Sequence, residues 1–268
     1  MATNGATTGP IPGPWAAPSA RTEAQIFAKY ALSQKADARF GVLYQNDDLG
    51  KDFVNGLKDV LGARFDSTAT AIPHEVTDPT IDSQIVSLKA ANPDVLISGT
   101  TAKFAAQSMR KIFELGWRPM HFIPSGASSI TATIVPVGME KAQGVITSVY
   151  LKDAADPAWA DDPAIKNYLA FMARYFPEGN AKDGYNLYAY MVAGVLMQIL
   201  KQCNGDFSRE SIMRQANNLN DLEVPALLPG IRVNTSPTNH RPLQQMQLQK
   251  WEGNGWTRFG NIIEGANI

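Results

Sequence analysis

The densest group of chemically capable side chains in this sequence is Asn46-Asp47-Asp48, followed at once by Gly50 and Lys51. Two adjacent carboxylates could act as general acid and general base if their surroundings drove their proton affinities apart. The same pair could equally be a solvated turn in which a carboxylate caps the helix that follows. Gly50-Lys51 lacks the leading glycine and spacing of a phosphate loop, and no G-x-S-x-G elbow occurs. His74, His121 and His240 are far apart, and no Cys/His spacing suits a metal, so neither a metal nor a cofactor is expected. Nothing marks a base oriented by a third group, as a catalytic triad needs. The single cysteine, Cys203, rules out an intrachain disulfide. It closes an apolar helical pattern and reads as a small buried hydrophobe rather than a reactive thiol.

The carboxylate pair sits inside Arg39–Asp52, and that stretch has a recognisable frame. Phe40 to Tyr44 is a short apolar run suited to a strand buried on both faces. After the polar break, Phe53, Leu57, Val60 and Leu61 form one apolar helical stripe, and Gly62 is placed as the residue just past its end. Strand, polar turn, helix is half of a parallel βα unit, which presents its ligand groups in the turn beyond the strand.

The pattern recurs. Glu23 to Ser33 is helical. Ser67 to Ile72 is β-prone. A helix begins near Asp78 and Thr80, with Asp82 at its positive end, and stops at Asn92-Pro93. Asp94 to Ile97 is a strand and Ala102 to Leu115 a helix closed by Gly116. Met120 to Ile123 is a strand, Thr131 to Lys141 a helix troubled by Pro136, and Val145 to Leu151 a fifth strand. This rhythm predicts an α/β fold with a doubly wound parallel sheet. In strand order 2-1-3-4-5 the turns Asn46–Leu49, Ser98–Thr101 and Pro124–Ser129 face one cleft. Beyond Leu151 come helices around Ile165–Phe176, Gly184–Gln202 and Arg209–Leu219. A ribbon, Gln245–Trp251 and Trp256–Ile263, follows with a hairpin signal at Glu252-Gly253-Asn254-Gly255. Gly184–Gln202 is apolar on most sides and lacks a sheet of its own to pack on.

The bulk numbers are those of an ordinary globular chain: 268 residues, 44% hydrophobic, 18% charged, net charge −1. That balance gives no long-range attraction for nucleic acid or an anionic membrane. The longest apolar run, Met191 to Leu200, is far too short to span a bilayer. The opening residues lack a basic and an apolar region, so no signal peptide is expected, and 1–19 read as a flexible tail or crossing.

Four stretches carry a resemblance: N-D-D-L-G-K-D, D-P-T-I-D-S-Q-I-V-S-L-K-A, A-N-P-D-V-L, and L-L-P-G-I-R-V-N-T-S-P-T. From about Pro14 to the C-terminus the chain resembles the extracytoplasmic substrate-binding proteins of ABC importers, in the branched-chain or hydrophobic amino-acid-binding group with the type I periplasmic-binding fold. The resemblance implies two α/β lobes closing on a ligand. Here 20–151 would be a complete C-terminal-type lobe. Residues 152–268 would be the returning helices and hinge strands of an incomplete N-terminal-type lobe, short of about 100 residues at its front. It implies a periplasmic parent, a small-molecule ligand, ABC permease subunits as partners, and self-association through the uncovered lobe surface. The ligand residues it implies are Asn46, Asp48 and Leu49; Thr100, Thr101 and Phe104; Ser125, Ala127 and Ser128; and Tyr190 near the hinge, alongside Tyr185 and Tyr188. Amino-acid binders place an acidic residue in the turn after the fourth strand; none stands there in this sequence, which favours an aromatic or aliphatic carboxylate over an amino acid. Non-catalytic binding is therefore expected. The alternatives are a ligand-sensing regulator of the same fold and a small hydrolase using Asp47 or Asp48.

Overall fold

Ser19 starts the first element: its hydroxyl accepts the N–H of Thr22 and caps helix α1, Ala20–Gln34. In the computed structural model, which describes residues 17–265, two compact units form, one of Ser19–Val149 with the chain from Met246 onward, the other of Tyr150–Gln245. The tail expected at 1–19 falls, apart from 17–19, outside the described residues.

The first unit holds one seven-stranded sheet in the order β2-β1-β3-β4-β5-β6-β7. Strands β1 (Phe40–Gln45), β2 (Ala69–His74), β3 (Val95–Gly99), β4 (Met120–Phe122) and β5 (Ile146–Val149) run parallel, as the βα rhythm requires. The closing ribbon, β6 (Gln245–Glu252) and β7 (Gly255–Glu264), turns through Gly253 at φ +61°. Its place corrects the sequence reading, which gave it to the incomplete second lobe. It extends this sheet, β6 lying antiparallel on the open edge of β5 with Thr147 opposite Gln249.

Helices α2 (Asp48–Leu61), α4 (Asp82–Ala90) and α5 (Ala102–Glu114) follow β1, β2 and β3, with a single helical turn α3 (Phe65–Thr68) before β2. That turn displaces the start of β2 from Ser67 to Ala69. The alternation of strand side chains sorts the core. Leu43 and Leu96 meet Ile85, Leu88, Phe104 and Ile112 on the α4–α5 side, while Phe122 stacks on Phe27 of α1 at 4.8 Å. The α1–α2 approach is close enough that a Cβ on Gly56 would lie 2.3 Å from the Arg21 carbonyl oxygen. Beside it the Arg21 guanidinium grips both Asp59 oxygens, at 2.6 and 2.7 Å.

The helix expected over Thr131–Lys141 is three pieces instead. A π-type segment Ile130–Ile134 and the turn α6 (Val135–Val137) end at Gly138, φ +101°, before a 3-10 turn Met139–Ala142. Pro136 offers no N–H and Gly138 leaves helical space, so the ladder cannot continue.

In the second unit, α7 (Pro163–Tyr175), α8 (Gly184–Gln202) and α9 (Arg209–Ala216) are capped by Asp162, Asp183 and Ser208. Helix α8 is less enclosed than its composition implies. It buries Leu187, Met191, Val195 and Ile199, every fourth residue, with Cys203 continuing the line, and leaves Tyr185 67% and Met197 54% exposed. Among the described residues of this unit no sheet stands against that face.

Candidate functional site

Parallel strands share a carboxyl edge, and the register aligns Tyr44 with Gly99 and Ile97 with Phe122. Asn46, Thr100 and Ser125 therefore follow three neighbouring strand ends, at the switch between β1 and β3.

The first turn is built from the end of β1. The Asn46 N–H donates to the His74 carbonyl at 2.8 Å, and its side-chain amide to Glu75 Oε1 at 2.7 Å. Asp47 accepts the Gly50 N–H at 3.1 Å, so it caps α2, and its other carboxylate oxygen takes the Gln45 side-chain amide. The helix-capping reading of this pair thus describes Asp47. Asp48 is exposed in the first turn of α2, and Leu49 is half-buried beside it. Gln45 also reaches the second turn, where the exposed Thr101 hydroxyl lies 3.4 Å from Gln45 Oε1.

Thr100 and Phe104 are turned inward. The Glu75 carbonyl can only accept, so the His74 Nδ1 at 3.1 Å carries the proton. Nε2, 2.8 Å from Thr100 Oγ1, then accepts from that hydroxyl. The Phe104 ring stands 4.2 Å from the imidazole, and burial holds His74 below its ordinary proton affinity. The pair ties the end of β2, across β1, to the turn after β3 instead of facing solvent.

The third turn, a 3-10 turn Ser125–Ala127, exposes part of Ser125 and Ser128 and buries Ala127 in the core with Met109, Ile123 and Trp251. Ser128 Oγ donates to the Ser125 carbonyl at 2.7 Å. The Ser125 N–H donates at 2.8 Å to Glu23, a buried carboxyl on α1 that also accepts the Ser148 hydroxyl. Burial pushes the Glu23 proton affinity up. The turn itself holds no carboxylate, as its sequence says, yet one arrives from α1. Sequence reasoning missed it, since a glutamate in the first turn of a helix is ordinary helix chemistry.

Tyr190 belongs to the second unit. It packs 5.4 Å from the Tyr168 ring and 5.1 Å from Phe171, an aromatic cluster between α7 and α8. A depression of about 250 Å³ lies elsewhere, lined by Phe113, Trp117, His121, Lys141 and Val145 before the starts of β4 and β5, and contains none of the residues implied for the ligand. Among the described residues no group of three or more His, Cys, Asp or Glu could hold a metal ion, and no helix is long and apolar enough to cross a membrane.

Residues 3–256 match the family model described as periplasmic binding protein. No curated protein matches. Among solved structures, a branched chain amino acid ABC transporter from Thermus thermophilus with bound valine is similar at TM-score 0.74 and 13% identity, over 93% of this chain and 67% of that one. A substrate-binding periplasmic protein from Ralstonia solanacearum gives TM-score 0.74 and 21% identity, over 98% and 70%. A fatty acid ABC transporter substrate-binding protein from Thermomonospora curvata gives 0.67 and 18%, over 91% and 63%. The chain thus spans about two thirds of the length of these structures, and at such identities they share its fold.

Proposed function

The chain belongs to the periplasmic binding protein family, and from that premise we propose that it binds a small molecule without transforming it, for delivery to an ABC import permease. The observation that carries this is the carboxyl edge of the parallel sheet, where the Asn46–Leu49, Thr101 and Ser125–Ser128 turns expose polar groups on three neighbouring strand ends. Thr100, Phe104 and Ala127 support these turns from beneath. The ligand class is a hydrophobic amino acid or an aromatic or aliphatic carboxylate; valine and fatty acid, named for two similar structures, span that range.

Titration calorimetry with L-valine, L-leucine, L-phenylalanine, benzoate and octanoate tests it. One of these binds, and Thr101→Tyr or Ser125→Trp weakens that binding at least about tenfold by filling the turns. Silence from the whole panel, or full affinity in both variants, removes these turns from the site.

Family membership also supports a periplasmic location, which recovery of the native protein in the spheroplast rather than the osmotic-shock fluid would contradict. The apolar residues exposed on α7 and α8, among them Phe171, Tyr175, Tyr185 and Met197, support self-association, since a second copy would cover them. A single monomeric species in sedimentation velocity, whatever the concentration, overturns that part.

A further inference from the structure

The Ser125–Ala127 turn has little of its own to hold it. It follows the three-residue strand β4, whose ladder to β5 has a single aligned pair, Phe122 with Ile146. Its internal bonds are Ala127 N–H to the Pro124 carbonyl at 2.9 Å, Ser128 N–H to the Ser125 carbonyl at 3.2 Å and the Ser128 hydroxyl to that same carbonyl at 2.7 Å. A Cβ built on Gly126 would meet nothing within 4 Å, so one side of the turn is open.

Two distant residues grip it from either end. At the start, Glu23 Oε1 accepts the Ser125 N–H at 2.8 Å and also the Ser148 hydroxyl, tying the turn to α1 and β5 at once. At the far end, the Trp256 indole N–H of β7 donates to the Ser128 carbonyl at 3.0 Å. That indole is itself fixed. It meets Trp251 edge-on at 5.4 Å, and Trp251 is fully buried with its own N–H on the Met139 carbonyl at 3.0 Å.

We propose that Glu23 and Trp256 are positioning residues of the ligand site, which hold the turn after β4 at both ends and so fix where Ser125 and Ser128 stand. The proposal rests on the reading that these turns bind the ligand. Glu23 acts as a buried double acceptor; Trp256 acts through one N–H on a ring already packed in place. The closing ribbon thereby gains a role in the site beyond covering the edge of β5.

Three variants of the full chain test it: Glu23→Leu, which removes the acceptor; Glu23→Gln, which keeps a carbonyl oxygen in its place; and Trp256→Phe, which keeps a ring and loses the N–H. Amide exchange at Ala127 and Ser128, followed by NMR, is expected to quicken about tenfold in Glu23→Leu and in Trp256→Phe, with Glu23→Gln within about threefold of the parent and α2 unmoved. Unchanged exchange in both disrupting variants, or Glu23→Gln as fast as Glu23→Leu, overturns the anchoring. Calorimetry with L-leucine and benzoate then reads the functional half. Whichever binds the parent is expected to bind Trp256→Phe about tenfold more weakly at a nearly unchanged thermal midpoint. Full affinity in Trp256→Phe where Thr101→Tyr abolishes binding refutes positioning and leaves the ligand site standing. Full affinity in Thr101→Tyr and Ser125→Trp as well refutes the site reading instead. Should Glu23→Leu fail to fold, Trp256→Phe carries the test alone.

Discussion

Gly50→Ala lowers the stability of the chain by about 3 kcal/mol, since an added methyl has no free volume and the atoms it meets cannot swing away. The third residue of α2 lies directly against the end of β1. A Cβ there would stand 1.9 Å from the Gln45 carbonyl oxygen and 2.5 Å from the Gln45 nitrogen, both main-chain atoms of the central sheet. Relief requires α2 to lift from the sheet, and α2 buries Phe53, Leu57 and Leu61. The lift would also part Asp47 from its cap and move Leu49, so ligand binding should fall with stability. Gly126→Ala is the matched control. Its Cβ meets open space at a residue of the same candidate site, and its stability should stay within about 0.5 kcal/mol of the parent. Urea unfolding of the two variants checks both values. A Gly50→Ala protein unfolding at the parent's midpoint would mean that strand and helix do not approach this closely.

That close approach shows what the sequence could and could not disclose. The abrupt change from Phe40–Tyr44 to Asn46-Asp47-Asp48, and the stripe beginning at Phe53, mark a strand, a turn and a helix by local period alone. They led to the parallel order β2-β1-β3-β4-β5 that the ladders display. The capping role of Asp47 was legible for the same reason, because its partner is the Gly50 N–H three residues on. Contacts between distant segments left no such trace. Glu23 meets Ser125 across 102 positions and Trp256 meets Ser128 across 128, and neither has a spacing from which its partner could be inferred. The ribbon was recognised as a hairpin but not by its sheet, since a hairpin signal fixes a turn and leaves the outer partner open. Thr100 misled in another way. A threonine in a polar turn reads as solvent-facing, and only the arrival of His74 at the end of β2 turns it inward.

The other buried histidine gives the second large effect. His121 is all but fully buried, and burial alone lowers its pKa to about 3. Its Nε2 lies 2.9 Å from Ser98 Oγ; Ser98 donates to Ser108 at 3.1 Å, and Ser108 to the Ala105 carbonyl at 2.8 Å. Each hydroxyl spends its one proton down that chain, so Ser98 must accept from His121, and the ring is neutral with its proton on Nε2. An unfolded histidine takes up a second proton near its ordinary value of 6.5, whereas the folded one resists until about 3. The stabilisation is therefore fully present above about pH 6.5 and drains as the pH falls, at a limiting slope of about 1.4 kcal/mol per pH unit. His74, lowered by burial, adds in the same direction, and Glu23, raised by burial, opposes it by holding its proton more tightly when folded. His121→Gln separates the contributions: the amide can still donate to Ser98 and cannot titrate. Between about pH 6.5 and about pH 5 the parent should lose roughly 2 kcal/mol more than His121→Gln in urea unfolding. Parallel pH profiles for the two proteins would show that His121 takes up its second proton as readily in the folded chain as in the unfolded one, and that burial does not hold the ring neutral.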